Sequence, residues 1–387
     1  MNQRSALSTT ARLEVAAGRL PALDGLRGLA VLAIVLRHWW ESIFSLAWDR
    51  QDWLHGPLAP LLAATAWVHL LFVLSGFVLT GSLERSRGAG NLVQYAVRRF
   101  FRLYPPFICA AFFTWMVSAL YSGSPAGSGV TNWVRMIVAI RPDFAALLSS
   151  LLLPGTAAGL LPMGWSLTIE VVFSALLPLM CLLARRLHWS ALLGGALLAL
   201  WIPGSPGELL NTRGLFLCSA DFAFGIGLWL ERERLARLLQ GRNLVASLIG
   251  VVGVFLIGWP TAARWAIHLP TSVAFLTLGS VALMVAAEHC APLRRGLECR
   301  PLLFTGRVSY SLYLLHIPVL FLLAPRIVRD GGTAGEAVLL LALLLIISLL
   351  LSALSFRWIE RPSIELGNRL VHQLAHKLGV AERLSRL

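Results

Sequence analysis

Long apolar runs recur along the whole chain and are separated by short polar segments. An α-helix needs about 20 mostly apolar residues to cross the hydrocarbon core of a membrane, so these runs predict membrane-spanning helices. Ten spans are predicted, at approximately 22–46, 62–83, 103–122, 162–184, 189–204, 214–230, 243–260, 268–287, 303–324 and 336–356. The fifth is short and ends at Pro203. Residues 142–161 are apolar but interrupted by Pro154, Gly155 and Gly159, which indicates a re-entrant or surface segment.

The distribution of arginine predicts the orientation of these helices. With the N-terminus placed in the cytosol, 23 basic residues fall in cytosolic segments and 7 in the opposite loops. Because positive residues accumulate on the cytosolic side of membrane proteins, both termini are predicted to be cytosolic. The predicted fold class is therefore all-α, a polytopic bundle of about ten transmembrane helices.

The same pattern divides the chain into three parts. Residues 1–20 are predicted to be a cytosolic N-terminal tail, residues 21–362 the ten-helix transmembrane domain, and residues 363–387 a cytosolic C-terminal tail. In the C-terminal tail, apolar residues follow one another four apart among polar and basic ones, at Leu366, Leu370, Leu374 and Leu378. This spacing predicts an amphipathic helix that lies on the inner leaflet.

Composition agrees with a membrane protein and excludes several other classes. Of the 387 residues, 57% are hydrophobic and only 13% are charged, against roughly 25% charged residues in soluble domains. A soluble cytosolic enzyme, a disordered chain and a nucleic-acid-binding protein are excluded, and the net charge of +14 is explained by arginines at the membrane surface. The five cysteines form neither a CxxC pair nor a Cys/His spacing, so no disulfide framework and no metal site are predicted.

The first predicted span contains ionisable side chains, which are costly in lipid and need a partner or a function. Arg27 and His38 are eleven residues apart, so they lie on the same helix face, roughly 16 Å apart along the axis. Asp24 lies one turn before Arg27 on nearly the same face. If Asp24 begins the span at the inner surface, His38 lies near the middle of the bilayer.

His38 has two interpretations on these grounds alone. In a dry cavity, a neutral imidazole would act as a general base or as a nucleophile. Alternatively, His38 is a structural residue that bonds a neighbouring helix. No function follows for the adjacent Arg37, for which an ion pair with Glu170 or Asp221 is one option.

Arg99 and Arg102 form a basic pair before the third span. They are three residues apart, on one side of a short helical stretch that Pro105 and Pro106 are predicted to stop. At the cytosolic lip such a pair suits bidentate binding of a phosphate. The alternative is that both residues only orient the helix and contact lipid headgroups.

Further polar residues lie in the second and fourth spans. Ser75, next to Gly76, permits a close helix contact. Trp165 begins the fourth span near the outer interface, where tryptophan is often an anchor. Glu170 lies inside the apolar run, where it either pairs with an arginine or stays protonated as a hydrogen-bond donor.

The ninth span carries one polar stripe. Ser309, Tyr313 and His316 follow the spacing i, i+4, i+7 and therefore face the same side, with Tyr310 next to them. Together with the residues above, this stripe predicts a polar bundle interior with a basic patch at its cytosolic mouth. Such an interior is compatible with a transporter or with an enzyme.

Six motifs in this order resemble those of the acyltransferase-3 family, bacterial integral-membrane O-acyltransferases with ten spans. The motifs are R-x10-H (Arg27 and His38, with Asp24 before them), FVLSGF (Phe72 to Phe77), RxxRxxP (Arg99, Arg102, Pro105), WSLxxE (Trp165, Ser166, Leu167, Glu170), GxxSYSxYLxH (Gly306 to His316) and IERP (Ile359 to Pro362). Each motif is weak alone, but six in the same order cover nearly the whole chain.

The resemblance implies transfer of an acyl group, commonly acetyl, from cytosolic acyl-CoA to a hydroxyl, usually of a carbohydrate or glycolipid. It implies a multi-pass protein of the bacterial inner membrane, in contact with membrane lipids, with acyl-CoA as donor substrate and no tightly bound cofactor or metal. On this basis the catalytic residues are His38, Asp24 and Arg27, and Arg27, Arg99 and Arg102 bind acyl-CoA. The acceptor side is assigned to Ser75, Trp165, Glu170, Tyr310, Tyr313 and His316.

Alternatives remain open at this point. His38 either deprotonates the acceptor hydroxyl or itself carries the acyl group to an acceptor on the far side. A proton-coupled transporter or exporter of a sugar-like solute, without acyl chemistry, also accounts for charges and histidines within the membrane. A further alternative is a protein that carries acyl groups to a separate transferase.

Overall fold

The computed structural model describes residues 20–43, 56–85, 91–121, 130–139, 143–152, 160, 162–198, 212–265, 270–329 and 332–384. Within these segments all regular structure is helical and no strand occurs. The all-α fold class is therefore confirmed. Residues 1–19 lie outside the described segments, so the cytosolic N-terminal tail stays a prediction.

Fifteen α-helices and one π-helical turn occupy the described segments. They are α1 (Pro21–Ile43), α2 (Ala59–Leu62), α3 (Ala64–Arg85), α4 (Asn91–Tyr121), α5 (Asn132–Ala139), α6 (Phe144–Leu152), α7 (Gly164–Leu187), α8 (Ser190–Leu198), α9 (Thr212–Leu239), α10 (Asn243–Ala262), α11 (Pro270–His289), α12 (Ala291–Leu297), α13 (Arg300–Ile327), α14 (Ala334–Ser355), the π-helical turn (Phe356–Glu360) and α15 (Arg361–Leu384).

The long helices coincide with the predicted spans. Among the described residues, seven helices are long and apolar enough to cross a membrane, within α3, α4, α7, α10, α11, α13 and the continuous stretch from α14 into α15. This confirms a polytopic membrane protein. The first and sixth predicted spans form α1 and α9, which carry more charged residues, and the fifth is described only over Ser190–Leu198. The count of ten and the side of each terminus therefore stay predictions.

One local expectation has a different outcome, and another falls partly outside the described residues. The prediction that Pro105 and Pro106 stop a short helix is wrong, because α4 continues through both residues to Tyr121. A proline removes one backbone hydrogen bond, and a long apolar helix in a bundle tolerates this loss. In the segment 142–161 a short helix, α6, is present, whereas the interrupting Pro154 and the glycines after it lie outside the described residues.

Helix α1 lies at the centre of the bundle and packs tightly against α12 and α13. A Cβ atom added at Gly25 would collide with the backbone carbonyl of Leu297, and one added at Gly306 would collide with that of Asp24. Glycine at these two positions therefore lets the helix backbones touch. This contact holds the polar residues of α1 against those of α13.

Helix α13 is buried along most of its middle part, from Thr305 to Phe321, including Ser309, Tyr313 and His316. After α14, the π-helical turn directs Glu360 back into the interior, where its side chain is fully buried. The C-terminal tail is helical as predicted and packs on α4, where Gly367 lies against Phe101. Its location on the inner leaflet stays a prediction.

Candidate active site

Two histidines meet in the interior of the bundle. His38 on α1 and His316 on α13 are both buried, and His38 Nδ1 lies 3.1 Å from His316 Nε2. The second ring nitrogen of His316, Nδ1, lies 3.0 Å from the carbonyl oxygen of Leu312 on the same helix. The sequence predicts both histidines as site residues on separate helices, and the structure joins them into a hydrogen-bonded pair.

Trp133 covers His38. The two rings are stacked, with centroids 5.8 Å apart and planes 21° apart. The segment that carries Trp133 is fixed to the end of α1, because the backbone N–H of Thr131 donates to the carbonyl oxygen of Ser42 over 3.1 Å. Trp133 is not among the residues predicted for the site, because it lies between two predicted spans, where nothing distinguishes it from an interfacial anchor.

Arg99 lies inside the bundle and pairs with a carboxylate. Its Nη2 atom forms an ion pair with Glu170 Oε1, and its Nε atom donates to Ser174 Oγ over 2.8 Å. Ser75 Oγ donates to the same Glu170 oxygen over 3.0 Å. Of the two alternatives for Glu170, the structure has the one with an arginine partner.

Arg102 pairs with Glu360 of the π-helical turn. Arg102 Nη1 lies 3.2 Å from Glu360 Oε1, and Ser311 Oγ donates to Glu360 Oε2 over 2.8 Å. Sequence analysis gave Glu360 no function, because it lies beyond the end of the last apolar run. The signal that could have found it is the carboxylate of the IERP motif directly after a span.

A third ion pair completes the set. Arg27 Nη1 lies 3.1 Å from Asp24 Oδ1, one turn earlier on α1. Each of the three arginines that the resemblance assigns to the donor therefore has one carboxylate partner. The formal charge of these three pairs is zero.

Tyr313 and Tyr310 on α13 are both hydrogen-bonded. Ser166 Oγ lies 2.6 Å from the Tyr313 hydroxyl and 2.9 Å from the carbonyl oxygen of Met163. Because the single hydroxyl hydrogen of Ser166 goes to that carbonyl, Tyr313 is the donor to Ser166. The Tyr310 hydroxyl donates to the carbonyl oxygen of Leu103 over 2.8 Å and so connects α13 with α4.

Three cavities lie in a row along α1. The arginine mouth, of about 620 Å³, is lined by Asp24, Arg27, Arg102, Arg307, Arg361 and Glu365, among others. The central cavity, of about 240 Å³, is lined by Arg27, Ser75, Arg99, Arg102, Ser166, Glu170, Ser309, Tyr310 and Tyr313, among others. The histidine cavity, of about 640 Å³, is lined by Arg37, His38, Glu41, Trp165, Arg264, Trp265 and Tyr313, among others.

Neighbouring cavities share lining residues. Arg27 and Arg102 line both the arginine mouth and the central cavity. Val68 and Tyr313 line both the central cavity and the histidine cavity. The row therefore runs from a basic entrance to His38, with the Tyr313–Ser166 hydrogen bond at the second boundary.

Every residue that the sequence predicts for the site lies at this row of cavities. Ten of them line a cavity, and His316 bonds one that does: Asp24, Arg27, His38, Ser75, Arg99, Arg102, Trp165, Glu170, Tyr310, Tyr313 and His316. Within the described part of the chain, no group of three or more His, Cys, Asp or Glu residues is arranged to hold a metal ion.

A second buried polar cluster lies beside the row. Asp221 on α9 has one oxygen 2.6 Å from His69 Nδ1 and accepts with the other from Thr277 Oγ1 over 2.6 Å. Arg37 lies 3.6 Å from Glu41 instead, so the option of an Arg37 ion pair with Glu170 or Asp221 is wrong. His69 is not among the residues predicted from the sequence, although it lies inside an apolar run, the same signal that identified His38.

Known proteins match nearly the whole chain. The acyltransferase-3 family, described as "Acyltransferase domain", matches residues 20–357. Acyltransferase MdmB of Streptomyces mycarofaciens is 27% identical over 91% of this chain and 93% of its own length. Nodulation protein 10 of Rhizobium leguminosarum is 26% identical over 88% of this chain and 94% of its own.

Peptidoglycan O-acetyltransferase OatA of Listeria monocytogenes is 25% identical over 89% of this chain, which spans 55% of that relative's length. No solved structure gives a significant match. The family match includes both histidines and all three arginines of the ion pairs. The chain therefore belongs to the acyltransferase-3 family of membrane acyltransferases.

Proposed function

We propose that the protein transfers an acyl group, with acetyl as the first candidate, from acyl-CoA at the cytosolic face to a hydroxyl of a carbohydrate acceptor. The observation that carries the proposal is the row of cavities from the arginine mouth to His38. Two relatives support the chemistry by name, since one is an acyltransferase and another an O-acetyltransferase of peptidoglycan.

The donor fits the basic end of the row. Coenzyme A carries several phosphate charges on its nucleotide and ends in a long uncharged arm that bears the thioester. Arg27 and Arg102 line the mouth and the central cavity and suit the phosphates. The arm then extends past Arg99 toward His38, which lies roughly 16 Å from Arg27 along the axis of α1.

In the direct mechanism His38 is a general base. It takes the proton of the acceptor hydroxyl while that oxygen attacks the thioester carbonyl carbon. The carbon–sulfur bond then breaks, and the proton passes from the imidazolium to the leaving thiolate, which gives free CoA and the acyl ester. The Tyr313 hydroxyl at the boundary of the cavities is a candidate donor to the developing oxyanion.

In the alternative mechanism His38 carries the acyl group. One ring nitrogen attacks the thioester carbonyl and the carbon–sulfur bond breaks, so CoA leaves as the thiolate and the imidazole proton stays with the histidines. The acceptor hydroxyl then attacks the acyl carbon, the carbon–nitrogen bond breaks, and the hydroxyl proton is released as the ester forms. This mechanism lets the acceptor be modified on the far side of the membrane after CoA has left. Both mechanisms need the thioester to pass the boundary at Tyr313.

Labelled donor tests the proposal. Inverted membrane vesicles from the source organism present the cytosolic face, so acetyl-CoA labelled in the acetyl group is added outside. Label is expected in the glycan or glycolipid fraction together with free CoA. The variant His38→Ala is expected to abolish both, whereas His372→Ala, at an exposed position on α15, keeps both.

The outcomes separate the alternatives. Transfer by His38→Ala at the rate of the unmodified protein would overturn the role of His38 in the proposal, and the absence of any labelled acceptor with the unmodified protein would overturn the proposal itself. A transporter without acyl chemistry would leave the thioester intact. To distinguish the two mechanisms, the purified protein is incubated with acetyl-CoA in the absence of acceptor, and the reaction is quenched and digested. An acetyl group on the peptide that contains His38 indicates the carrier mechanism. An unmodified peptide, from protein that still transfers acetyl when acceptor is added, indicates the direct mechanism.

A further inference from the structure

We propose that His316 is a positioning residue that sets the tautomer of His38, so that Nε2 of His38 is the atom that acts on the substrate. This inference rests on the proposed function, in which His38 reacts, and it adds which nitrogen reacts and why. It concerns two hydrogen bonds, from His38 to His316 and from His316 to the carbonyl of Leu312.

The chain of hydrogen bonds has a fixed direction. The carbonyl oxygen of Leu312 can only accept, so His316 Nδ1, 3.0 Å away, carries the hydrogen. A neutral imidazole has one N–H, so His316 Nε2 is then an acceptor. His38 Nδ1, 3.1 Å from that atom, must donate to it. His38 Nε2 is left with a free lone pair, the form that a base or nucleophile requires.

The ring geometry supports a true hydrogen bond rather than face-to-face stacking. The two imidazole centroids are 5.2 Å apart, and the distance between the bonded nitrogens is 3.1 Å. The difference of about 2 Å is close to the sum of the two ring radii, as expected when both nitrogens lie between the centroids. The rings therefore meet edge to edge. Their planes differ by only 29°, so the N–H of His38 lies close to the plane of the acceptor ring, where the lone pair of its nitrogen lies.

The surroundings of His38 leave Nε2 as the reactive edge. Trp133 stacks on one face of the ring, and Nδ1 is bonded to His316. Among the described residues, Nε2 has no hydrogen-bond partner, and His38 lines the histidine cavity. The same contacts that hold the ring therefore leave its basic nitrogen for a substrate.

The pair serves either mechanism. If His38 is a base, the proton taken by Nε2 makes a cation whose Nδ1–H is already bonded to a neutral acceptor, which stabilises the charge. If His38 carries the acyl group, attack through Nε2 makes an acyl-imidazolium. Its Nδ1 proton passes to His316 Nε2, so His38 becomes a neutral acyl-imidazole and His316 holds the proton until the acceptor has reacted.

Two substitutions at His316 test the acceptor role. His316→Leu fills the site but cannot accept a hydrogen bond, whereas the amide oxygen of His316→Gln can accept from His38 Nδ1. For His316→Leu, kcat is expected to fall about 100- to 10,000-fold, the usual contribution of a positioned base. KM for acyl-CoA is expected to stay within about 3-fold, because His316 lines neither the arginine mouth nor the central cavity. His316→Gln restores kcat to within about 10-fold of the unmodified protein, and His372→Leu is the exposed control.

A measurement on the unmodified protein tests the tautomer itself. With ¹⁵N-labelled histidine and His38→Ala for assignment, NMR of the protein in micelles is expected to find the hydrogen of His38 on Nδ1. Finding it on Nε2 would overturn the inference, as would equal loss of kcat in folded His316→Leu and His316→Gln. If His316→Leu turns over normally while His38→Ala is inactive, the inference fails and the proposed function stands. If His38→Ala is also active, the role of His38 in the proposed function fails, and if the unmodified protein transfers no label, the proposed function itself fails.

Discussion

Because Arg99 pairs with Glu170, the contribution of Arg99 to stability can be measured separately from its contribution to donor binding. The side chains are only 17% and 15% exposed, so each neutralises the other in a place where water is scarce. Substituting Arg99 alone removes a cation from the donor path but also leaves Glu170 without its charge partner. The informative comparison is therefore Arg99→Gln against the double variant Arg99→Gln with Glu170→Gln.

The expected magnitudes differ clearly. Removing one member of a buried pair costs about 3–5 kcal/mol of unfolding free energy. For Arg99→Gln we expect about 3 kcal/mol, the lower end, because Ser75 still donates to Glu170. The double variant keeps a neutral site and is expected to lose only about 1 kcal/mol, so it is expected to be about 2 kcal/mol more stable than Arg99→Gln.

Buried thiols provide the assay. Cys181, Cys218 and Cys290 are buried, whereas Cys109 and Cys299 are exposed and would react in the folded protein. In a background with serine at the two exposed positions, a fluorogenic thiol reagent follows unfolding along an SDS titration in mixed micelles. The unfolding free energies of the four members of the cycle follow from these curves.

The folded double variant then reports on binding alone. If Arg99 contributes to binding of the donor in the central cavity, KM for acyl-CoA is expected to rise about 10-fold, the effect of losing about 1.4 kcal/mol of binding, with kcat nearly unchanged. Arg294→Gln, exposed on α12 and outside all three cavities, is the control and is expected to leave KM unchanged. Equal stability of the single and double variants would refute the argument that the pair is held by mutual neutralisation.

Two further predictions concern the scaffold. Gly306→Ala places a Cβ against the carbonyl of Asp24 and is expected to lower the unfolding free energy by at least about 1–3 kcal/mol. Gly195→Ala, where an added Cβ has nothing within 4 Å, is expected to be neutral or slightly stabilising. The thiol assay compares the two variants, and equal stability would contradict the close contact of α1 and α13. Thr277→Val removes a hydrogen-bond donor to the buried Asp221 and is expected to lower the unfolding free energy by about 1.5–3 kcal/mol. Thr114→Val loses only a hydrogen bond to Ala110 in its own helix and is expected to lower it by about 1 kcal/mol or less. A smaller effect for Thr277→Val than for Thr114→Val would contradict the role of the cluster in joining α9 and α11.

The fold was largely predictable because lipid restricts the structures that cross it. Apolar length alone located the helices, and the cost of burying charge singled out Arg27, His38 and Glu170 before any contact was known. Helix ends were less predictable. The prolines at 105 and 106 are strong stop signals in a soluble helix, but α4 continues through them.

The sequence could not predict which polar side chains on different helices pair with one another. Which arginine meets Glu170 depends on how α4 and α7 are rotated in the bundle, and spacing along one helix carries no information on that. For the same reason, the hydrogen bond between His38 and His316 was not predictable. Glu360 was missed for another reason, because only the π-helical turn brings a residue beyond the last apolar run back into the interior.

A passage through the middle of a membrane protein endangers the ion gradients of the cell. Here the three arginines that line the central cavity, Arg27, Arg99 and Arg102, each have a carboxylate partner. The central cavity therefore has no unbalanced fixed charge that would concentrate chloride or sodium, and the hydrogen bond between Tyr313 and Ser166 lies at its boundary with the histidine cavity. The anionic donor proposed above would have to compete with these carboxylates for the arginines, so the charges that bind the donor are already neutralised when it is absent.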